Sequence, residues 1–239
     1  MPYLNNIMEF LGLLVAIFYY PHLRKSYMKW FLPFLAFVTV CELFLVFGAR
    51  ILFGPNQVAN YHNTFLYASM DAINYLIGIV ETVFYGYIFY QFSSSKLVHK
   101  SIYIQVALSE LIYLYGFFFS AHSEAFLLYA VTAEGFLLVI VALLYIYTQY
   151  IDNDAIFGTS EPGFWIAIGV TLFFSGTSIV FSLYDLIVEN HLKVLGSMLY
   201  NFVPRMLCVV LYTCTSIAII LWKKKHASPY GERISTRKG

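Results

Sequence analysis

Residues 64–92, TFLYASMDAINYLIGIVETVFYGYIFYQF, decide how the chain is read. The stretch exceeds the roughly 20 apolar residues that carry a helix across the hydrocarbon of a bilayer. It also carries a polar line: Tyr67, Asp71, Asn74, Gly78, Glu81 and Tyr85 recur at steps of four and three, so a helix sets them on one narrow face. Acids at membrane depth face protein or water rather than lipid. The stretch therefore reads as the central helix of a bundle with a polar interior.

The whole composition agrees. Of 239 residues, 60% are hydrophobic, 20% aromatic and 11% charged, against roughly 25% charged in soluble domains. The net charge of +1 names no partner, and nothing points to nucleic acid. Cys41, Cys208 and Cys214 all lie in apolar stretches, without metal-like spacing or an even count, so they read as buried thiols.

Seven stretches are long and apolar enough to span: 4–20, 30–53, 64–92, 102–121, 125–151, 164–187 and 194–222. The fold class expected is all-α, a polytopic seven-transmembrane-helix bundle over 1–222, followed by a short basic tail over 223–239. The first span has no basic n-region and no small-residue cleavage motif, so it reads as a retained helix. Basic residues follow the first span (Arg24, Lys25, Lys29), the third (Lys96, Lys100) and the seventh (Lys223, Lys224, Lys225, Arg233, Arg237, Lys238). Seven spans put all three groups on one side. The positive-inside rule then places the N-terminus outside and the C-terminus in the cytoplasm. The tail's Lys and Arg suit anionic lipid headgroups, at about 1 kcal/mol each.

Glu42, Glu81, Glu110 and Glu134 fall near the middle of spans two to five, and Arg205 near the middle of span seven. At roughly 2.5–3.5 kcal/mol for a central charge, each should face the interior. One arginine does not neutralise four carboxyls. Either some are protonated, or a cation or a water-filled cavity accompanies them. Asn201, Arg205, Cys208 and Tyr212 share a face of span seven, where Pro204 removes the bond to Tyr200 and predicts a kink. Thr171, Ser175, Ser178, Ser182 and Asp185 line one face of span six, which reads as close helix packing or, alternatively, as the hydrated wall of a cavity. Tyr19, Tyr20, Trp30, Tyr90, Tyr150, Trp165 and Trp222 fall at span ends, as an aromatic belt does. Tyr67, Tyr85 and Tyr212 align with the polar stripes and are pocket candidates.

Several chemistries lack their residues. Every Lys lies at or beyond a span end, so a retinal Schiff base has no site. His22, His62, His99, His122, His191 and His226 are at ends or in loops, which speaks against buried haem or zinc and against ceramidase-like hydrolysis. There is no Gly-rich phosphate loop, nucleophile elbow or HExxH. No enzyme, metal or cofactor is expected. A three-plus-one-plus-three arrangement would resemble the PQ-loop and sugar transporters. Residues 20–26, YPHLRKS, are similar to their proline motif, whereas 147–150, YTQY, lack the proline.

The mid-span Glu42, the run Asn63 to Tyr67, Glu81-Thr82-Val83-Phe84-Tyr85 and Tyr145-Ile146-Tyr147-Thr148-Gln149 carry a resemblance. So do Pro162-Gly163-Phe164-Trp165-Ile166, Gly169 and Phe174-Ser175-Gly176. In these the chain resembles a group of small, uncharacterised seven-transmembrane-helix proteins of Bacteroidota-type bacteria, over nearly its whole length except the tail. The resemblance implies a bacterial inner (plasma) membrane location and supplies no substrate.

The expected function is that of a receptor-like or sensory integral membrane protein. Its ligand-binding or ion-path candidates are Glu42, Tyr67, Asp71, Asn74, Glu81, Tyr85, Glu110, Glu134, Asn201 and Arg205. Its partners would be membrane lipids, a small ligand or ion, and a cytoplasmic or membrane signalling protein. The alternatives are a small proton- or cation-coupled transporter and a scaffold subunit of a larger membrane complex.

Overall fold

The computed structural model describes residues 4–48, 65–119, 124–152 and 158–227. Apolar side chains force long helices here, because a chain in hydrocarbon must satisfy every backbone N–H and C=O internally. Seven principal helices result. α1 is Leu4–Leu23, and a 3-10 turn at Tyr27–Trp30 leads to α2, Phe31–Leu43, which continues as a π turn, Phe44–Gly48. α3 is Phe65–Phe92, α4 Lys96–Phe119, α5 Glu124–Asp152, α6 Pro162–Ser182 and α7 Leu199–Ala227. The protein is all-α apart from a two-stranded hairpin, Lys193–Val194 with Ser197–Met198.

Local chemistry sets several boundaries. Pro162 opens α6, where a proline's missing N–H costs nothing. Ser26 Oγ donates to the Leu23 carbonyl at 2.9 Å, just beyond the end of α1. Only residues 93–95 separate α3 from α4, which makes those two helices antiparallel neighbours. α6 stops at Ser182, and a short helix, Tyr184–Glu189, and the hairpin occupy the stretch up to α7. The expectation of one helix to 187 and another from 194 missed this turn. Gly196, with φ +78°, sits where the hairpin reverses, a backbone state that favours glycine.

The helices close into a ring in chain order. α1 packs on α2 and α7, α7 on α6, α6 on α5, α5 on α4, α4 on α3 and α3 on α2; α3 also reaches across to α5. Among the described residues, six helices are long and apolar enough to cross a membrane: α1, α3, α4, α5, α6 and α7. The second expected span, 30–53, is described only as far as Gly48, and the loop 54–62 lies outside the described residues. Large apolar side chains cover the outside of the ring, with Phe18, Tyr103, Leu111 and Phe118 each more than 60% exposed. A water-facing surface of that kind would drive aggregation, whereas lipid accepts it. This is the surface of an integral membrane protein.

The basic end of the bundle is sealed by rings. Tyr27 packs edge-on to Trp222 at 5.0 Å and to Phe92 at 5.3 Å, and Phe92 reaches Trp222 at 6.1 Å. Trp222 is buried within this group and so is not a belt residue. At the same end Lys225 Nζ meets both Glu161 oxygens at 2.8 Å, and Lys223 lies 5.0 Å over the Tyr19 ring. Burial first, and the Glu161 carboxylate second, hold the Tyr27 phenol above its usual pKa range.

Candidate ligand cavity

The other half of the bundle contains a polar cavity. On α1, Asn5 and Glu9 stand one turn apart; on α7, Arg205, Cys208 and Tyr212 follow at steps of three and four, which puts each set on a single face. Glu42 comes from the end of α2, next to the π turn, and Glu81 from the middle of α3. These side chains border one cavity of about 210 Å³, enclosed by α1, α2, α3, α6 and α7. It lies toward the end of the bundle that holds the N-termini of α1 and α7, away from the aromatic seal.

Three carboxyls and one guanidinium share this space. Glu9 is 3% exposed. Its Oε1 receives a weak Cys208 Sγ–H bond at 3.9 Å, and its Oε2 has no partner among the described residues. Glu81 stands within electrostatic range of Glu134, Glu42 and Glu9. Arg205 borders the cavity but makes no direct ion pair; among the described residues the direct pair is Lys225 with Glu161. Pro204 forms part of the wall, and α7 runs through it as one helix from Leu199 to Ala227.

Glu134 belongs to a different, closed arrangement beside the cavity. It is 1% exposed on α5. Thr82 Oγ1 donates to its Oε1 at 2.7 Å, and the Tyr113 hydroxyl donates to its Oε2. Both oxygens are thus held by hydroxyls from neighbouring helices, as a buried carboxyl requires. Gly78 makes the Tyr113 bond possible, because a Cβ there would overlap the phenol. Gly135 does the same for α6: Ser178 Oγ fills the space a side chain would take and donates to the Thr132 carbonyl at 3.2 Å. That close α5–α6 approach is what the small polar face of span six requires.

Among the residues expected to form a site, Glu42, Glu81 and Arg205 meet at the cavity and Glu134 lies in the adjoining network. Tyr212 lines the wall, whereas Tyr85 is buried among the Phe34, Phe84 and Phe174 rings. Asn74 and Glu110 are half-buried outside the wall, and Asn201 is exposed at the start of α7. The side chains of Tyr67 and Asp71 lie outside the described residues. Glu9, Thr82 and Tyr113 are the additions. A carboxyl in the first span was a readable signal for Glu9; a Thr and a Tyr among many gave none.

Among the described residues no group of three or more His, Cys, Asp or Glu is arranged to hold a metal ion. The fold and this cavity define an all-α integral membrane protein with a charged intramembrane chamber. No protein-family model, curated protein or solved structure matches the chain. Function therefore has to be argued from the site.

Proposed function

We propose that the protein is a receptor-like or sensory seven-helix membrane protein, with its N-terminus outside and its C-terminus in the cytoplasm. The carrying observation is the cavity that gathers Glu9, Glu42, Glu81 and Arg205 from four helices. Charges at this depth are retained at a cost of a few kcal/mol each and commonly mark ligand or ion sites. α2 supplies the seventh crossing: Phe31–Gly48 rises about 1.5 Å per residue and so covers most of a roughly 30 Å hydrocarbon layer. A π turn beside Glu42 fits a functional position in that helix. The basic end faces the cytoplasm by the positive-inside rule, so the cavity sits in the outer half of the bilayer. Occupancy would shift the helices around the ring, and a signalling partner would read the change at the basic rim. A bacterial inner membrane is the location we propose.

A coupled transporter is the second reading, favoured by one observation. On α4, Gln105 and Ser109 share the face of Tyr113, are each 1% exposed, and have polar atoms without partners among the described residues. Hydrated, that column would extend from Glu134 toward the basic end. Proteoliposomes separate the two readings. Sensing predicts no proton or solute flux above that of empty vesicles, and hydrogen exchange that changes at the basic rim when the cavity is filled. Flux that is lost in E81Q and E134Q would overturn it in favour of transport.

A further inference from the structure

Resting on the reading of this cavity as a ligand site, we infer that its ligand is a small zwitterion that carries a primary ammonium and a carboxylate. The wall offers a partner for each end. Glu9, Glu42 and Glu81 supply three acceptors, and among the described residues Arg205 is the one cationic side chain in the wall. An ammonium would engage the carboxyls and a carboxylate the guanidinium, so that each end of such a ligand meets a buried partner of opposite character. Glu9 gives the second, independent observation: it is 3% exposed, borders the cavity, and its Oε2 has no partner among the described residues. An ammonium has three N–H donors for such oxygens, and a guanidinium fork matches a carboxylate.

The layout orders the two ends. Glu9 touches Cys208, and Arg205 lies three residues, or about 4.5 Å of helix rise, nearer the start of α7. Along α7, the backbone positions that carry these two contacts are thus offset by about the length of a short amino acid. The volume agrees: about 210 Å³ is below the roughly 300–1,000 Å³ that drug-sized molecules occupy. A metal ion does not fit as well, since these carboxyls are not converged on one point.

The test uses full-chain protein in micelles, with titration calorimetry and thermal unfolding. Glycine, β-alanine and γ-aminobutyrate vary the amine–carboxylate spacing, while propylamine and propionate carry one charge each. At least one amino acid should bind about tenfold or more tightly than either single-charge probe, and should raise the unfolding midpoint at about 10 mM. R205Q and E9Q should each weaken that binding about tenfold or more. E42Q stands in if E9Q does not fold, and E189Q, on the exposed short helix, should leave binding unchanged. Propylamine or propionate binding as tightly as the best amino acid overturns the inference, as does no binding by any of the three. Its failure is distinct from failure of the sensory reading. An amino acid that binds and is also moved into vesicles keeps the ligand class and ends sensing. A retained ligand of other chemistry that alters rim hydrogen exchange keeps sensing and ends the class.

Discussion

The two ends of the bundle solve opposite problems. At the basic end, Tyr27, Phe92 and Trp222 interlock and the charges stay on the rim, where Lys225 pairs with Glu161. At the other end, charges go inside and surround a cavity. Both ends use the same seven helices and much the same apolar background. The difference lies in what each helix turns inward: rings below, carboxyls and a guanidinium above. Lipid offers no hydrophobic drive between helices, so tight ring packing supplies cohesion where nothing has to enter. The half with the cavity gives up that packing only around the cavity; beside it, Tyr75 and Tyr113 still pack, and the Glu134 network adds hydroxyl–carboxyl bonds. On this account stability and binding are separable, and substitutions can show it.

The largest stability loss should come from the sealed end. W222A removes a buried ring packed on Tyr27 and Phe92 and should cost about 3 kcal/mol in reversible unfolding in mixed micelles, with ligand affinity unchanged. Loss of affinity to the same degree as loss of stability would break the separation. G78A comes next. Its methyl group overlaps the Tyr113 phenol, so crowding and a lost bond to Glu134 together should cost about 2 kcal/mol by the same assay. Y113F removes only the hydroxyl and should cost about 1 kcal/mol, in line with hydrogen bonds between membrane helices. If Y113F equals G78A, the glycine acts only through that bond. The smallest effect belongs to K225A: its ion pair is half exposed, worth less than about 1 kcal/mol, and should vanish in high salt.

Burial rules made much of this legible. A Glu or Arg at mid-span has to turn inward, so Glu42, Glu81 and Arg205 could be placed at an interior from their positions alone. Which of those interiors they share depends on ring closure, and helical spacing cannot report that. Glu110 and Asn201 carry equally strong local signals, yet among the described residues α4 adds nothing to the cavity wall and Asn201 is exposed at the start of α7. Glu9 went unread because a carboxyl only five residues into a span resembles an interfacial one. Trp222 was read as a belt residue for the same reason, since distance along the chain does not say whether a span end meets headgroups or a neighbouring ring. The turn after Ser182 was hidden because residues 183–188, Asp185 apart, remain apolar while no longer extending the long helix.

Native mass spectrometry of gently extracted protein tests the central claim most directly. The account predicts a small molecule retained at one per chain by the wild type and absent from R205Q, with both proteins folded. A wild type that carries nothing even after incubation with a small-molecule extract of its host cells, or the same cargo on R205Q, would contradict it.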